Sequence, residues 1–267
     1  MKTTMNRLLH TLMTALLAHS VLYSLSAQAA GPDPAQDNTN AVGRFDATLS
    51  TPPAPWQLVR FNDKVPATRY RVIDWDGVAA VEAVANASMA LLARPITVDL
   101  ARTPILCWRW RIDAPLKSAD MATRQGDDYA ARVYLSFTLP SEAMGFGTRA
   151  KLKLARTMYG DQVPDAALNY VWDNRYPIGT QQPNAYTDRT RMIVLRSGPL
   201  QAGAWVTERR DILADALSAF GSEQIRATQL AVAADTDNTG ERARSGFADM
   251  HFVARDQACS FAGPPFK

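Results

Sequence analysis

Short runs of apolar and β-branched residues recur along this chain between positions 56 and 253, and Gly, Pro and Asp residues separate them. Runs of this length, many with alternating apolar and polar positions, are typical of β-strands. The pattern predicts strands at 56–61, 70–75, 78–84, 96–100, 105–112, 130–139, 151–154, 168–172, 192–196, 204–208, 229–233 and 247–253. Many short strands at this spacing favour a sandwich or a barrel.

One stretch has helical instead of strand periodicity. Apolar residues recur every three or four positions from Ile212 to Phe220, between a capping Asp211 and Gly221. No internal repeat is present in the sequence, which disfavours solenoids and propellers. The sequence therefore predicts an all-β, jelly-roll-like sandwich with one short helix.

Alternation within two of the predicted strands assigns their faces. In 105–112, Trp108 and Trp110 share the expected core face, and Arg109 and Arg111 share the other. In 130–139, the apolar residues point inward and Arg132 and Tyr134 point outward. If the two strands are neighbours, a cationic ligand-binding surface forms from Arg109, Arg111, Arg132 and Tyr134. The alternative is that these are ordinary solvated side chains of a strand.

The N-terminal segment predicts where the protein works. Lys2 and Arg7 precede an apolar run at 8–25, and the small-residue site Ala27-Gln28-Ala29 follows. These are the three regions of a signal peptide. We expect residues 1–29 to be a cleaved signal peptide, residues 30–50 a flexible arm, and residues 51–267 a single domain in the periplasm or secreted. No later segment is long and apolar enough to span a bilayer.

Charge excludes one class of partner. Removal of residues 1–29 leaves 27 basic and 26 acidic residues, so the expected mature chain is close to neutral. A nearly neutral chain with interspersed signs lacks the basic patch that neutralises phosphates. We therefore expect no nucleic-acid partner.

The few cysteines and histidines narrow the possible chemistry. Cys107 and Cys259 could pair in an oxidising compartment, or they could be two inert thiols. His251 is the histidine that remains after signal cleavage, and no Gly-x-Ser-x-Gly elbow accompanies it. Serine-hydrolase and zinc chemistry are therefore disfavoured.

Clustered oxygen ligands between 235 and 240 suggest a cation. Asp235, Asp237 and Asn238 precede Gly240, as in the first half of a calcium loop. An EF-hand is excluded because its twelfth position is Gly246. We expect a different calcium site, formed by Asp235 and Asp237 and completed by Asp249 or by a distant carboxylate. The alternative is a tight Asx turn between two strands. The same loop is locally similar to the ends of concanavalin-like and carbohydrate-binding jelly rolls.

Several motifs together resemble one family. They are Trp108-Arg109-Trp110, Gly126-Asp127-Asp128, Asn169-Tyr170-Val171-Trp172, Glu208-Arg209-Arg210-Asp211, Phe220-Gly221 and the 235–240 loop. In this order they look like the DUF3047 family of exported bacterial proteins, from about position 56 to 253. The resemblance implies an envelope protein and supplies no activity or catalytic residue.

The predicted function is a non-catalytic periplasmic module that binds a glycan or another anionic envelope ligand. The alternative is a polysaccharide-degrading enzyme, a glycoside hydrolase or a lyase, on the same fold. A hydrolase needs two carboxylates about 5 to 10 Å apart, and carboxylates such as Glu82, Asp127 and Glu208 are abundant. A structural protein with a protein partner is the third hypothesis.

Overall fold

The computed structural model describes residues 41–159 and 163–262, so the predicted signal peptide lies outside the described residues. Within them the chain forms strands and two α-helices. The strands are β1 (Ala41–Gly43), β2 (Gln57–Val59), β3 (Arg69–Asp74), β4 (Ala79–Asn86), β5 (Leu91–Pro95), β6 (Ile105–Ile112), β7 (Tyr129–Thr138), β8 (Ala166–Asp173), β9 (Gln181–Asn184), β10 (Thr187–Ser197), β11 (Val206–Asp211), β12 (Arg226–Asp235) and β13 (Arg242–Val253). The helices are α1 (Phe146–Tyr159) and α2 (Ile212–Phe220).

The strands form two sheets. Sheet A has the order β11-β6-β13-β4-β3, and β1 also pairs with β13. Sheet B has the order β2-β5-β12-β7-β8-β10-β9. Neighbouring strands are antiparallel except β8 and β10, which are parallel. The predicted all-β sandwich is confirmed.

Aromatic side chains join the two sheets in one core. Trp108 and Trp110 of β6 are completely buried. Their rings lie 5.5 Å from Tyr170 and 5.8 Å from Trp172 of β8, measured between centroids. The inward face predicted for this stretch of β6 is therefore correct, because alternation places every second side chain of a strand on one side.

Helix α2 forms where the periodicity predicts it. The side chain of Asp211 accepts a hydrogen bond from the backbone N–H of Ala214 at 3.0 Å, as an N-cap does. Gly221 has a φ of 70° and donates its N–H to the carbonyl of Leu217 at 2.8 Å. Glycine is favoured at this position because a left-handed backbone has no steric cost for it.

Three predicted elements are wrong. The strand expected at 96–100 lies earlier, at β5, and Ile96 and Leu100 enter the core from a loop. The residues at 151–154 belong to α1, because a run of four alternating residues is too short to separate a strand from a helix. Part of the expected arm, 41–43, is β1 in sheet A.

A bulge in β13 changes which side chains face outward. Asp249 has a φ of 54°, and the register with β6 shifts between Ala248 and His251. Strict alternation predicts Ala248 in the core, but it packs outside sheet A against Trp75 and Trp205.

The C-terminal segment covers part of the outer face of sheet A. Cys259 forms a disulfide with Cys107 of β6, with their Cα atoms 5.8 Å apart. The backbone N–H of Ser260 donates to Nε2 of His251 at 3.0 Å. Of the two readings left open by the sequence, the structure therefore has the paired cysteines.

Among the described residues, no helix has the length and apolar character needed to cross a membrane.

Candidate ligand-binding cleft

A cleft of about 810 Å³ lies over the outer face of sheet B. Its floor comes from β5, β12 and β7, and includes Leu91, Gln229 and Tyr134. One wall is the segment 60–65 after β2, and the other is the β9–β10 hairpin around Tyr186. Since β2 and β9 are the two edges of sheet B, the cleft runs across the whole sheet.

Arg132 is a buried cation at the floor of the cleft. Its guanidinium group forms an ion pair with Asp235 and lies 3.9 Å from Asp127 Oδ1. With the side-chain amide of Asn169 turned to satisfy both groups, its oxygen accepts from Arg132 Nη2 at 3.0 Å. The guanidinium carbon also lies 4.7 Å and 4.9 Å from the ring centroids of Tyr129 and Tyr134. These contacts engage Arg132 within the protein.

Carboxylates gather at one end of the same floor. One oxygen from each of Asp128, Asp235 and Asp237 lies within 4.8 Å of the others. Asp128 and Asp235 are buried, and Asp237 is exposed. Asp128 accepts from the backbone N–H of Thr239 at 2.6 Å and so fixes the 235–240 loop against β7. Oxygen ligands at this spacing could hold a hard cation such as calcium.

Burial governs the protonation of this cluster. It raises the pKa of Asp235 to about 8 because the charged form loses its hydration, although Arg132 opposes the shift. The nearby charges of Asp128 and Asp127 raise it further. Burial and then the charge of Asp128 raise the pKa of Asp237. Arg132 alone therefore does not neutralise the carboxylates of this cluster.

Aromatic side chains remain open along the cleft. Phe61 on one wall is 67% exposed, and Tyr186 on the other is 53% exposed. The guanidinium carbon of Arg124 lies 5.2 Å from the centroid of the Tyr186 ring, and the Tyr186 hydroxyl donates to the Arg124 carbonyl at 3.1 Å. Tyr186 is therefore held in place although it is exposed. Tyr134 adds a half-buried ring at the floor.

The structure separates the four residues predicted to form one cationic surface. Arg132 and Tyr134 line the cleft on sheet B. Arg109 and Arg111 lie on the outer face of sheet A, because β6 pairs with β11 and β13 and not with β7. Arg109 forms a buried ion pair with Asp249, and Arg111 binds Asp76 at 2.6 Å and stacks over Trp75 at 4.3 Å. The predicted surface required β6 and β7 to be neighbouring strands, and they are not.

The predicted cation ligands are also rearranged. Asp235 and Asp237 lie together, but Asp249 is in the other sheet, paired with Arg109. Asp128 takes the third position. Gly126, two residues before Asp128, has no room for a side chain, since an added Cβ would lie 2.6 Å from the Asp120 backbone nitrogen. A polar pair after a constrained glycine, just before a strand, is the sequence signal that could have drawn attention to Asp128.

Sequence reasoning missed Phe61 and Tyr186 as candidate binding residues. Phe61 ends the strand predicted at 56–61, while Tyr186 lies in a hairpin whose first strand carries Pro183 and has no apolar alternation. Their shared signal, an aromatic residue among polar turn residues, is weak.

The fold and the cleft define a jelly-roll-like β-sandwich protein with a ligand-sized cleft on one outer face. A family model described as protein of unknown function DUF3047 matches residues 54–251, and the chain belongs to that family. The resemblance inferred from the motifs is thereby confirmed. No curated protein matches the chain.

Similar solved structures include several family 12 glycoside hydrolases. A metagenome-derived family 12 endoglucanase has a TM-score of 0.39 at 12% identity, over 75% of this chain and 96% of that one. An endoglucanase from Rhodothermus marinus has a TM-score of 0.37 at 10% identity, over 75% and 96%. A family 12 xyloglucanase from Bacillus licheniformis has a TM-score of 0.36 at 9% identity, over 81% and 97%. Likeness this distant assigns no activity to the chain.

Proposed function

We propose that the cleft on sheet B binds a neutral glycan. The observation that carries the proposal is the pair of exposed aromatic side chains, Phe61 and Tyr186, which line the cleft from opposite edges of the sheet. Aromatic rings offer sugar rings flat apolar surfaces, and a few placed polar groups fix the orientation of a ligand. Side chains able to hydrogen-bond hydroxyl groups line the rest of the cleft: Asn62, Ser136, Asn184, Thr190, Gln229 and Asn238.

The charges of the cleft favour a neutral over an anionic ligand. Three carboxylates line it, those of Asp127, Asp235 and Asp237, against two guanidinium groups. Arg132 is already paired with Asp235, and Arg60 donates to the carbonyls of its own loop at 2.8 and 2.9 Å. An acidic sugar would meet no net positive charge, whether Asp235 is ionised or keeps its proton. Arg132 therefore positions Tyr134 and Asp235 and does not bind the ligand itself.

We also propose that the protein works in the periplasm after removal of residues 1–29. The pattern of charged, apolar and small residues at the N-terminus supports export. The disulfide between Cys107 and Cys259 adds support, because disulfides persist in oxidising compartments. Mass spectrometry of the protein recovered from a periplasmic extract tests this, and an intact N-terminus would contradict it.

A polysaccharide-degrading enzyme is the second candidate function. The observation that favours it is the pKa of Asp235, raised to about 8, since a carboxyl group that keeps its proton near neutral pH can act as a general acid. The ion pair of Asp235 with Arg132 counts against it, because it occupies the carboxylate. Binding without turnover is therefore the primary expectation.

The test is a binding measurement on a panel of β-glucans, xyloglucan, alginate and pectin, followed by an assay for new reducing ends and unsaturated products. We expect binding to one or more neutral glycans, weak or no binding to alginate and pectin, and no product. Phe61→Ala and Tyr186→Ala should each weaken binding about tenfold, the effect of a lost stacking contact of roughly 1–1.5 kcal/mol.

Phe146→Ala is the matched control, because Phe146 is an exposed phenylalanine outside the cleft lining. Its binding should equal that of the unmodified protein. Preference for the acidic polymers, or unchanged binding in both cleft variants, would overturn the proposal. Product release would favour the enzyme and make Asp235→Asn the next variant to assay.

A further inference from the structure

Helix α1 presents an apolar stripe that nothing in the described part of the chain covers. Phe146 and Leu154 are 81% and 62% exposed. Together with Ala150, also exposed, they recur every four residues, which places them along one side of an α-helix. Leu152 lies on the opposite side and is buried. The stripe of Phe146, Ala150 and Leu154 therefore points away from the protein.

Cations flank this stripe. At 100° per residue, Arg149 and Lys153 fall on one side of it and Lys151 on the other. All are exposed, and none of them forms an ion pair with a residue that the structure describes. The helix itself contains no acidic residue. Just before it, the pKa of Glu142 is lowered chiefly by a backbone N–H and the Ser141 hydroxyl, and less by Arg149.

The helix is anchored to the domain from its other side. Arg156 forms an ion pair with Asp165 at 2.8 Å and donates to the carbonyl of Val163 at 3.1 Å. A groove of about 450 Å³ runs beside the helix, and Arg149, Lys153 and Arg156 line it. A group bound in this groove would meet three cations and the already paired carboxylate of Asp165.

We propose that α1 is an interfacial helix that docks the protein on an anionic phospholipid bilayer. An apolar stripe with lysine and arginine at its borders is the arrangement in which apolar side chains enter the headgroup region while the cations reach the phosphates. A soluble acidic polysaccharide or nucleic acid would satisfy the charges but would leave Phe146 and Leu154 in water. The proposal goes beyond glycan binding and does not depend on the cleft.

Sedimentation with vesicles tests the proposal on the chain as the cell processes it. Vesicles of phosphatidylcholine alone are compared with vesicles that also contain phosphatidylglycerol. We expect the protein to bind the anionic vesicles and to be released by salt. Lys151→Gln with Lys153→Gln should weaken binding roughly 30-fold, since each cation near an anionic surface contributes about 1 kcal/mol. Phe146→Ser with Leu154→Ser should weaken it roughly tenfold or more.

Lys117→Gln with Leu200→Ser is the matched control, because both residues are exposed and lie outside α1. Its binding should be unchanged. Because all variants share the same N-terminal segment, a loss of binding seen only in the α1 variants is then due to α1. Equal binding to both vesicle types, or no loss in the α1 variants, would overturn the proposal. Loss in the lysine variant alone would also overturn it, because the helix would then recognise charge without entering a bilayer.

Discussion

Buried ion pairs hold the outer face of each sheet. Arg132 pairs with Asp235 on sheet B, and Arg109 pairs with Asp249 on sheet A, all with little exposure to solvent. Removing one partner of such a pair leaves an uncompensated buried charge and costs about 3–5 kcal/mol. In sequence, these arginines alternate with core residues, and solvent-exposed arginines on a strand show the same alternation. Their sequence positions therefore do not reveal that they are buried. They are structural and positioning residues in this fold.

Stability should depend on the protonation of Asp235. Its pKa in the folded protein, about 8, is above its ordinary value. Between these two values the folded protein takes up a proton that the unfolded chain does not, so stability falls as the pH rises. Asp235→Asn cannot titrate. We expect the melting temperature of the unmodified protein to fall relative to that of Asp235→Asn from about pH 5 to about pH 9. Asp188→Asn, at an exposed position, is the control, and a pH-independent difference would contradict the prediction.

Calcium binding stays a prediction, now with a revised set of ligands. If the 235–240 loop binds calcium, adding the ion at about pH 8 should raise the melting temperature, and a chelator should reverse the effect. Asp237→Asn should abolish this increase, because Asp237 contributes an exposed carboxylate to the group with Asp128 and Asp235. Asp249→Asn should keep it, because Asp249 lies in the other sheet. If calcium leaves the melting temperature unchanged, protons and Arg132 neutralise the cluster.

At the level of elements, periodicity succeeds where one face of an element is buried. Strand β6 has the predicted bounds, and α2 has the predicted bounds and caps. Periodicity fails at β13, because a bulge at Asp249 turns Ala248 outward, and at α1, where four alternating residues fit either element. Strand β9, with Pro183, has no alternation to detect and lies at an edge of sheet B, where proline is tolerated.

The disulfide should fix the C-terminal segment on sheet A. It closes a loop between residues 152 positions apart, and replacing both Cys107 and Cys259 by serine should lower the free energy of unfolding by roughly 2–5 kcal/mol. Denaturant unfolding measures this difference. Limited proteolysis should then cleave the variant near Arg255 while the sandwich stays intact. Equal unfolding curves for the oxidised protein and the variant would show that the other contacts of the segment are sufficient.

At the scale of the whole molecule, the sequence predicts a two-layered sandwich but not which strands lie next to each other. Strands β6 and β7 follow each other in the chain, yet they lie in opposite sheets, and β12 separates β5 from β7. Their alternation specifies which residues face the core, and nothing local specifies the sheet to which each strand belongs. This is why the inward tryptophans could be predicted from the sequence and the composite arginine surface could not.

We expect substitutions on the two outer faces of the sandwich to change the free energy of unfolding independently of each other. Double-mutant cycles measure this. Gly246→Ala should destabilise the protein by about 1–3 kcal/mol, because the added Cβ would lie 2.7 Å from Cη2 of Trp205 outside sheet A. Tyr134→Leu acts on the outer face of sheet B, beyond the roughly 10 Å that separates packed sheets. Their effects should add within about 0.5 kcal/mol. Trp110→Leu and Trp172→Leu should instead couple by about 0.5–1.5 kcal/mol, since their rings meet across the core. Strong coupling between the first pair would mean that a shift in one outer face passes through the core to the other.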